Sequence, residues 1–241
     1  MDICNIQTAA VFGASGGIGA TLCKTLARGG VQVFAGSRNA TNFASPKVRS
    51  FAFDFENEAS LVDAATMLRD TPPQLVLVTT GALTLVDGAG PERSLRKLDA
   101  ATMSEVFRIN TIGPALIAKH ILPVLPRNTP YVFACLSARV GSISENGLGG
   151  WHSYRASKAA LNMLIKNFAI ETARTNPQSV IIGLHPGTVD TALSQPFQSG
   201  LPEGQLTKPP AAANNLLSVV AKLTPQDSGK VFDWKGDEIP A

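Results

Sequence analysis

Two residues four positions apart carry the clearest chemical signal in this sequence. Tyr154 and Lys158 stand in the segment Ser153–Lys158 (SYRASK), which opens a stretch with helical spacing. On a helix, positions i and i+4 share one face, so the phenol and the ammonium would be neighbours. A free tyrosine has a pKa of about 10, and a nearby positive charge lowers it by stabilising the phenolate. The pair therefore predicts proton exchange with an oxygen near neutral pH, although a surface lysine on an amphipathic helix would show the same spacing.

A glycine-rich turn near the start of the chain predicts a phosphate-binding site. It follows the apolar run Thr8–Phe12 and opens a helical pattern marked by Ile18, Leu22 and Leu26. Glycines let a backbone approach a ligand closely, and a helix N-terminus offers free N–H groups and a positive dipole end. A turn without a ligand is the alternative, but a strand before the glycines and a helix after them are typical of dinucleotide sites. The residues assigned to this site are Gly13, Ser15, Gly16, Gly17, Ile18 and Gly19.

The ends of the second and third strands bear on which dinucleotide binds. An NAD site usually has an acidic residue after the second strand for the ribose 2′-hydroxyl, and none occurs in 31–42. Ser37 and Arg38 stand there instead, and a guanidinium suits a 2′-phosphate, which favours NADP over NAD. A solvated loop cation is the alternative interpretation of Arg38. Asp54 and Phe55 follow the third strand, where Asp54 either accepts a hydrogen bond from an adenine amino group or caps a helix.

The elements that must position these residues alternate along the chain. Short apolar runs suit strands buried on both faces of a parallel sheet: Thr8–Phe12, Val31–Ala35, Val48–Phe53, Leu75–Val78, Tyr131–Leu136, Val180–Leu184 and Val231–Phe232. Helical patterns lie between them: the one after the glycine turn, Ala59–Leu68, Thr102–Leu122 with Pro114 as a candidate kink, and Tyr154–Ala173. This alternation predicts an α/β fold, a single doubly wound Rossmann-type domain over residues 1–241 with a mostly parallel seven-stranded sheet and helices on both faces. The segment Gln195–Pro210, within a region near 190–210, is predicted to be a substrate loop or lid.

Composition narrows the classes of function. The 241 residues, 44% hydrophobic and 16% charged, describe a folded domain, and a net charge of +3 is too small to indicate nucleic-acid binding. No apolar run reaches the roughly 18 residues of a membrane-spanning helix, and the start of the chain does not read as a secretory signal. The cysteines, Cys4, Cys23 and Cys135, are too scattered for disulfides or zinc, and the three histidines lack metal spacing. We expect a cytoplasmic protein with reduced thiols and without a metal site, a membrane span or a nucleic-acid partner.

The glycine turn and the Tyr154–Lys158 pair together resemble the short-chain dehydrogenase/reductase family over nearly the whole chain. Four further segments look like its C-factor-like branch: SARVGSI at 137–143, LGGW at 148–151, PGTVDT at 186–191 and DWKG at 233–236. The resemblance implies that NADP(H) serves to interconvert a carbonyl and an alcohol by hydride transfer. Tyr154 would be the proton donor or acceptor, and Lys158 would lower its pKa and hold the nicotinamide ribose. A dinucleotide-binding signalling or redox-sensor protein with little catalytic activity is the alternative.

The same resemblance implies roles for residues that spacing alone would not single out. Asn110 would help hold a water-linked proton relay to the lysine, and Ser137, at the end of the fifth strand, would bind the substrate oxygen. Further cofactor contacts would come from Thr80, Gly81, Pro186, Gly187, Thr188, Val189 and Thr191. Family members usually form homodimers or homotetramers. Leu193, Phe197 and Leu201 predict an apolar lining, which together with the resemblance implies a small hydrophobic carbonyl or alcohol substrate.

Three features depart from the family pattern. Phe12 stands where a threonine usually precedes the first glycine, and Thr79–Ala82 replaces Asn-Asn-Ala-Gly. The third departure concerns the serine, because many members have it three residues before the loop glycine and this chain has Ala138 there. Ser137 is one residue earlier, and Ser142 is the second candidate for the serine that binds the substrate oxygen.

Overall fold

The computed structural model describes residues 6–85, 87–202 and 204–241, so Cys4 lies outside the described residues. Its strands are β1 (Thr8–Phe12), β2 (Gln32–Ser37), β3 (Val48–Ala52), β4 (Leu75–Val78), β5 (Val132–Leu136), β6 (Val180–His185), β7 (Thr188–Val189), β8 (Leu206–Thr207) and β9 (Val231–Asp233). Within the described ranges, seven of them form one parallel sheet in the order β3-β2-β1-β4-β5-β6-β9, and β7 pairs with β8 apart from it.

Helices cover both faces of this sheet. They are α1 (Gly17–Arg28), α2 (Ala59–Asp70), α3 (Ala100–Phe107), α4 (Gly113–Ile121), α5 (His152–Ala173) and α6 (Pro209–Lys222). One core cluster joins α1 and α6 to the sheet through residues such as Leu22 and Leu216, and the other joins α2, α4 and α5 through Leu61, Ile117 and Leu161. The predicted doubly wound fold with helices on both faces is therefore confirmed. Among the described residues, we find no helix with both the length and the apolar character that a membrane span requires.

The order of the strands places a crevice at their carboxyl ends. β1 lies between β2 and β4, so the chain leaves it toward one side of the sheet first and returns to the other side later. Ligands bind α/β sheets in the crevice outside the carboxyl ends of the strands at such a switch point. The glycine turn after β1 and the Thr79–Ala82 segment after β4 lie at this point.

Three elements differ from the sequence prediction. The helix expected over Thr102–Leu122 is divided by a π-helical turn at Arg108–Ile112, and Pro114 lies in the first turn of α4, where its missing N–H costs no hydrogen bond. The predicted loop Gln195–Pro210 contains a 3₁₀ turn (Gln195–Phe197) and β8. It ends at α6, a helix that the sequence analysis missed although two prolines mark its first turn.

Candidate active site

A cleft with two connected compartments runs along the carboxyl ends of the strands. The first, about 860 Å³, extends to the ends of β2 and β3 and is called the β2 compartment. The second, about 390 Å³, extends to the ends of β5 and β6 and is called the β5 compartment. Both are lined by Gly16, Thr79, Thr80, Gly81, Leu83, Ala192 and Leu193. Of the site residues that the sequence predicts, all but Asn110 and the alternative serine Ser142 line one compartment or both.

The glycine turn is packed so closely that side chains would not fit. Gly13 has a φ of 95°, and a Cβ there would lie 2.9 Å from the backbone nitrogen of Thr80. A Cβ at Gly17 would lie 2.6 Å from Cγ2 of Thr191, which joins the turn to the segment after β7. Gly16 precedes α1 and no side chain caps this helix end. The first N–H groups of α1 are therefore available to an anion in the cleft.

Tyr154 and Lys158 both line the β5 compartment from α5. The Lys158 side chain is 3% exposed, and its Nζ donates a hydrogen bond of 2.8 Å to the carbonyl oxygen of Leu136 at the end of β5. The same nitrogen lies 5.8 Å from the centroid of the Tyr154 ring. The expected pairing of phenol and ammonium on one helix face is present, and the ammonium is anchored to the sheet.

Burial dominates the pKa values of this pair. Loss of water raises the pKa of Tyr154 to about 12 and lowers the pKa of Lys158 to about 8. The net pKa of Tyr154 therefore lies above its ordinary value, and the expectation that Lys158 brings it near neutral pH is wrong for the groups that the chain itself supplies. The physical reason is that Nζ bonds to Leu136 and not to the phenol, so desolvation of the phenolate prevails. At neutral pH the Tyr154 phenol is protonated and able to donate.

Asn110 lies behind the cleft in the π-helical turn and is fully buried. Its Nδ2 donates to the carbonyl oxygen of Ala82 at 2.8 Å and to Oγ of Ser157 at 3.1 Å, and its Oδ1 accepts from the backbone N–H of Ala82 at 2.8 Å. The amide thus joins the segment after β4 to α5 beside Lys158. Because it lines neither compartment, its expected part in a water relay stays a prediction.

The expected substrate contact of Ser137 stays a prediction, because its hydroxyl already has a partner within the chain. The Ser137 residue lines the β5 compartment, but its hydroxyl donates to Oδ1 of Asn162 at 2.6 Å and is directed at α5. Ser142 lines neither compartment, and its hydroxyl accepts a hydrogen bond from the N–H of Glu145 at 3.2 Å. Ala138, three residues before Gly141, lines the β5 compartment as well.

The β2 compartment contains the residues predicted to distinguish NADP from NAD. Arg38 is exposed and lines it, whereas the Ser37 hydroxyl donates to the carbonyl oxygen of Asn39 at 2.8 Å. Oδ1 of Asp54 accepts from the N–H of Glu56 at 3.0 Å. Since α2 begins only at Ala59, the alternative interpretation of Asp54 as a helix cap is wrong.

Another cation of the β2 compartment is held by acidic neighbours. The Arg108 guanidinium donates twice to the Glu105 carboxylate, both at 2.6 Å, and lies 3.3 Å from Glu56. These contacts raise the pKa of Arg108, first through the hydrogen bonds from Glu105, although partial burial opposes the rise.

Sequence analysis missed Glu92, which is 5% exposed. Its carboxylate accepts from the N–H of Ser153 at 3.1 Å and from the Ser153 hydroxyl, next to Tyr154. Burial raises the pKa of Glu92, but the hydrogen bonds from Ser153 and from the backbone outweigh it and the pKa is lowered. No local pattern signals this contact, because the partners are 61 residues apart.

Two rings form an apolar wall beside Tyr154. The Trp151 ring lies edge-on to Tyr154 with centroids 6.3 Å apart and meets the Phe197 ring at 5.2 Å. Phe197, predicted as part of an apolar lining, lines the β5 compartment together with Leu193 and Leu201.

Comparisons with known proteins extend this description. A model of the short chain dehydrogenase family matches residues 7–201. The C-signal protein of Myxococcus xanthus is 34% identical over 168 residues, which cover 68% of this chain and 95% of that protein. A benzil reductase of Bacillus subtilis, which forms (S)-benzoin, is 24% identical over 93% of this chain and 97% of its own. The crystal structure of an NADPH-bound carbonyl reductase from chicken fatty liver superposes with a TM-score of 0.82 at 23% identity, covering 98% and 94% of the two chains.

Proposed function

This chain belongs to the short-chain dehydrogenase/reductase family, in its C-factor-like branch, and on that premise we propose that it is an NADP(H)-dependent oxidoreductase that reduces a small hydrophobic carbonyl compound to an alcohol. The observation that carries the proposal is the placement of Tyr154 and Lys158 in a compartment continuous with the glycine turn. The β2 compartment would hold the adenine end of the nucleotide, and the β5 compartment would hold its nicotinamide end together with the reacting carbonyl.

The cleft has features that suit NADP. The uncapped N-terminus of α1 and the close-packed Gly13 turn would hold the pyrophosphate, and Arg38 would pair with the 2′-phosphate. The hydroxyl of Thr80, which lines both compartments, is buried without a hydrogen-bond partner among the described residues, so it has a bond to offer a ligand. The reductase from chicken fatty liver, similar in fold, binds NADPH.

Bound NADPH would supply the hydride to the carbonyl carbon, and the chain would supply the proton. Tyr154 is protonated at neutral pH because burial raises its pKa to about 12, so it donates to the substrate oxygen as that oxygen gains charge. The phenolate that remains lies near the Lys158 ammonium, whose Nζ is 5.8 Å from the ring centroid. That charge becomes effective when the phenolate forms, since an opposite charge favours the ionised state.

The lining of the β5 compartment favours an uncharged substrate. Its walls include Leu83, Val140, Trp151, Phe197 and Leu201, and Lys158 is the one Lys, Arg, Asp or Glu among its described lining residues. A substrate with its own carboxylate or phosphate would lose hydration there without a partner, except next to Lys158. Aryl ketones, aryl aldehydes, diketones and quinones fit this chemistry, with the region near 190–210 as the substrate loop.

The test is turnover of NADPH with a panel of these carbonyl compounds, with Tyr131 and Tyr154, the two tyrosines of the chain, each changed to phenylalanine. We expect Tyr154→Phe to lower kcat by roughly 10²- to 10⁴-fold, the usual contribution of a positioned proton donor. Tyr131→Phe is the matched control, because Tyr131 is 3% exposed within the core and outside the cleft. Absence of turnover across the panel, or equal rates for Tyr154→Phe and the parent, would contradict the proposal.

A second candidate function is a dinucleotide-binding signalling protein with little catalysis. Ala138 favours it, because the β5 compartment lacks a serine hydroxyl directed at the reacting oxygen. The relative from Myxococcus xanthus bears the name C-signal. Tight NADPH binding without turnover, together with a partner that is captured only when NADPH is present, would favour this function over the reductase.

We also propose a homodimer or homotetramer. The surfaces of the π-helical turn and of α5 expose Ile112, Met163 and Ile170 at 49% or more. Sedimentation velocity of the intact protein would test it, and a monomer at all concentrations would contradict it.

A further inference from the structure

The helix that carries Tyr154 does not cap its own N-terminus. α5 begins at His152, after Trp151 in the left-handed region with a φ of 50°, and the Trp151 side chain caps nothing. The first N–H groups of any helix lack partners within the helix and need an acceptor from elsewhere. Tyr154 is the third residue of α5, so the acceptor that fixes this turn also fixes the phenol.

Glu92 supplies that acceptor from a distant segment. Its Oε2 accepts from the N–H of Ser153 at 3.1 Å, and its Oε1 accepts from the Ser153 hydroxyl. Its backbone carbonyl accepts from the N–H of Trp151 at 2.5 Å. The three bonds hold two of the three residues that precede Tyr154, and the carboxylate lies at the positive end of the helix dipole.

The same contacts fix the aromatic wall. Trp151 is held by Glu92 in a backbone conformation that a bulky residue rarely adopts, and in this position its ring meets Tyr154 and Phe197. Glu92 is 5% exposed, so water does not substitute easily for its hydrogen bonds. A simple stabilising cap would affect folding alone, whereas this cap also determines where two residues of the β5 compartment lie.

We propose that Glu92 is a positioning residue for proton transfer: it holds the first turn of α5 so that the Tyr154 phenol and the Trp151 ring face the carbonyl. The inference rests on the proposed reductase function for its kinetic consequence. Its structural consequence, the placement of Trp151, does not depend on turnover.

The kinetic test compares Glu92→Ala, Glu92→Gln and Asp99→Ala. Asp99 is the matched control, because its Oδ1 caps α3 by accepting from the N–H of Thr102 at 2.7 Å and it lines neither compartment. Displacing a catalytic group by about 1 Å can cost about 100-fold, so we expect Glu92→Ala to lower kcat by roughly 10- to 100-fold with an unchanged Kd for NADPH. Glu92→Gln keeps an acceptor oxygen and should recover part of kcat, and it also serves if the alanine variant does not fold.

The control separates positioning from stability. Asp99→Ala should lower the melting temperature, as a lost cap does, and keep kcat. If Glu92→Ala and Glu92→Gln lower only the melting temperature and keep the parent kcat, Glu92 is a cap and the proposal fails.

A fluorescence measurement decides the matter even if the reductase function is wrong. The chain has two tryptophans, so in a Trp234→Phe background the emission reports Trp151 alone. Glu92→Ala should shift this emission to the red as the ring leaves Tyr154 and Phe197, whereas Asp99→Ala should not. An unshifted emission would overturn the proposal. A parent without turnover but with the shift would refute the reductase function and leave the positioning of Trp151 supported.

Discussion

The two compartments of the cleft are assembled in different ways. In the β2 compartment, the groups proposed to bind the nucleotide follow directly after the strands that carry them: Gly13 after β1, Arg38 after β2 and Asp54 after β3. The β5 compartment instead depends on contacts between distant segments, such as Glu92 with Ser153 and Trp151 with Phe197. Each proposed nucleotide-binding group of the first compartment is placed by the strand that precedes it, whereas the aromatic wall of the second is placed by contacts between segments distant in the chain.

The electrostatic environments of the two compartments also differ. The β2 compartment has charged side chains of both signs, and its Arg108 is neutralised by Glu105 and Glu56 at its rim. In the β5 compartment Lys158 is buried and Tyr154 is half-buried, and desolvation shifts the pKa values of both. A charged, hydrated nucleotide suits the first environment, and proton transfer suits the second, where a single charge acts with little screening.

The largest effect should follow removal of the buried charge in the β5 compartment. Lys158→Met leaves the phenolate that forms on Tyr154 without its neighbouring ammonium, so we expect kcat to fall by about 10³-fold. Steady-state kinetics with NADPH and a substrate from the panel would measure it. Lys166→Met, an exposed position on the same helix, is the control and should keep kcat. If kcat falls by less than about tenfold in Lys158→Met, the charge of Lys158 does not act with little screening in the β5 compartment, and the electrostatic contrast between the compartments fails.

The second prediction concerns stability against pH. The pKa of Lys158 is about 8 in the fold against an ordinary 10.5, so the folded protein binds fewer protons than the unfolded chain between these values and stability rises with pH there. Below pH 8 the buried charge costs about 3 kcal/mol, and above pH 10.5 this cost is gone. Lys158→Met lacks this cost, so its free energy of unfolding should exceed that of the parent by more below pH 8 than above pH 10.5. The difference between the two proteins should fall by about 3 kcal/mol over this range.

Urea denaturation of both proteins at several pH values between 7.5 and 10.5 would measure this difference. The groups Cys23 and Tyr154, whose pKa values desolvation raises to about 12, are present in both proteins, so their titration in the unfolded chain cancels. A difference that stays constant over the window would show that Lys158 is not desolvated, and the contrast in electrostatics between the compartments would fail.

The third prediction concerns the β2 compartment. Arg38→Ser removes a charge-assisted bond to a 2′-phosphate, worth about 2 kcal/mol, so we expect the Kd for NADPH to rise by roughly 30-fold and that for NADH to stay unchanged. Fluorescence titration with both nucleotides would measure it. Arg127→Ser, at an exposed position on the loop before β5, is the control. Equal weakening of NADPH and NADH would indicate that Arg38 does not recognise the 2′-phosphate.

Much of the fold follows from the sequence for a simple physical reason. Strands buried on both faces are continuous apolar runs, and β1 and β4 begin and end at the predicted residues. β2 begins one residue later than the apolar run Val31–Ala35 and continues through Gly36 and Ser37, whose small side chains are not a strand signal. The π-helical turn at Arg108–Ile112 has no local signal, since its Asn110 bonds to Ala82 on another segment.

The positions of the candidate site residues could be predicted from the sequence about as well as the strands could. Residues in motifs line the cleft where the sequence places them, because each motif follows directly on one strand or lies on one helix. The direction of a side chain was not predictable. Ser137 lies at the predicted strand end, but its hydroxyl is directed at Asn162 by a contact that sequence does not show.

The smallest expected effect is a gain in kcat. It tests the difference between the position of a residue, which the sequence predicts, and the direction of its side chain, which the sequence does not. Ala138 lines the β5 compartment, so Ala138→Ser should place a hydroxyl beside the reacting oxygen. A lost oxyanion donor typically costs about 100-fold or more, but a donor added without a shaped surrounding should recover only part of this, about 10-fold in kcat. Ser137→Ala should leave kcat unchanged, because the hydroxyl it removes already bonds to Asn162. The opposite result, a loss at Ser137 and no gain at Ala138, would mean that the Ser137 hydroxyl turns into the cleft when substrate binds, and that the β5 compartment is completed by its ligand and not by the fold alone.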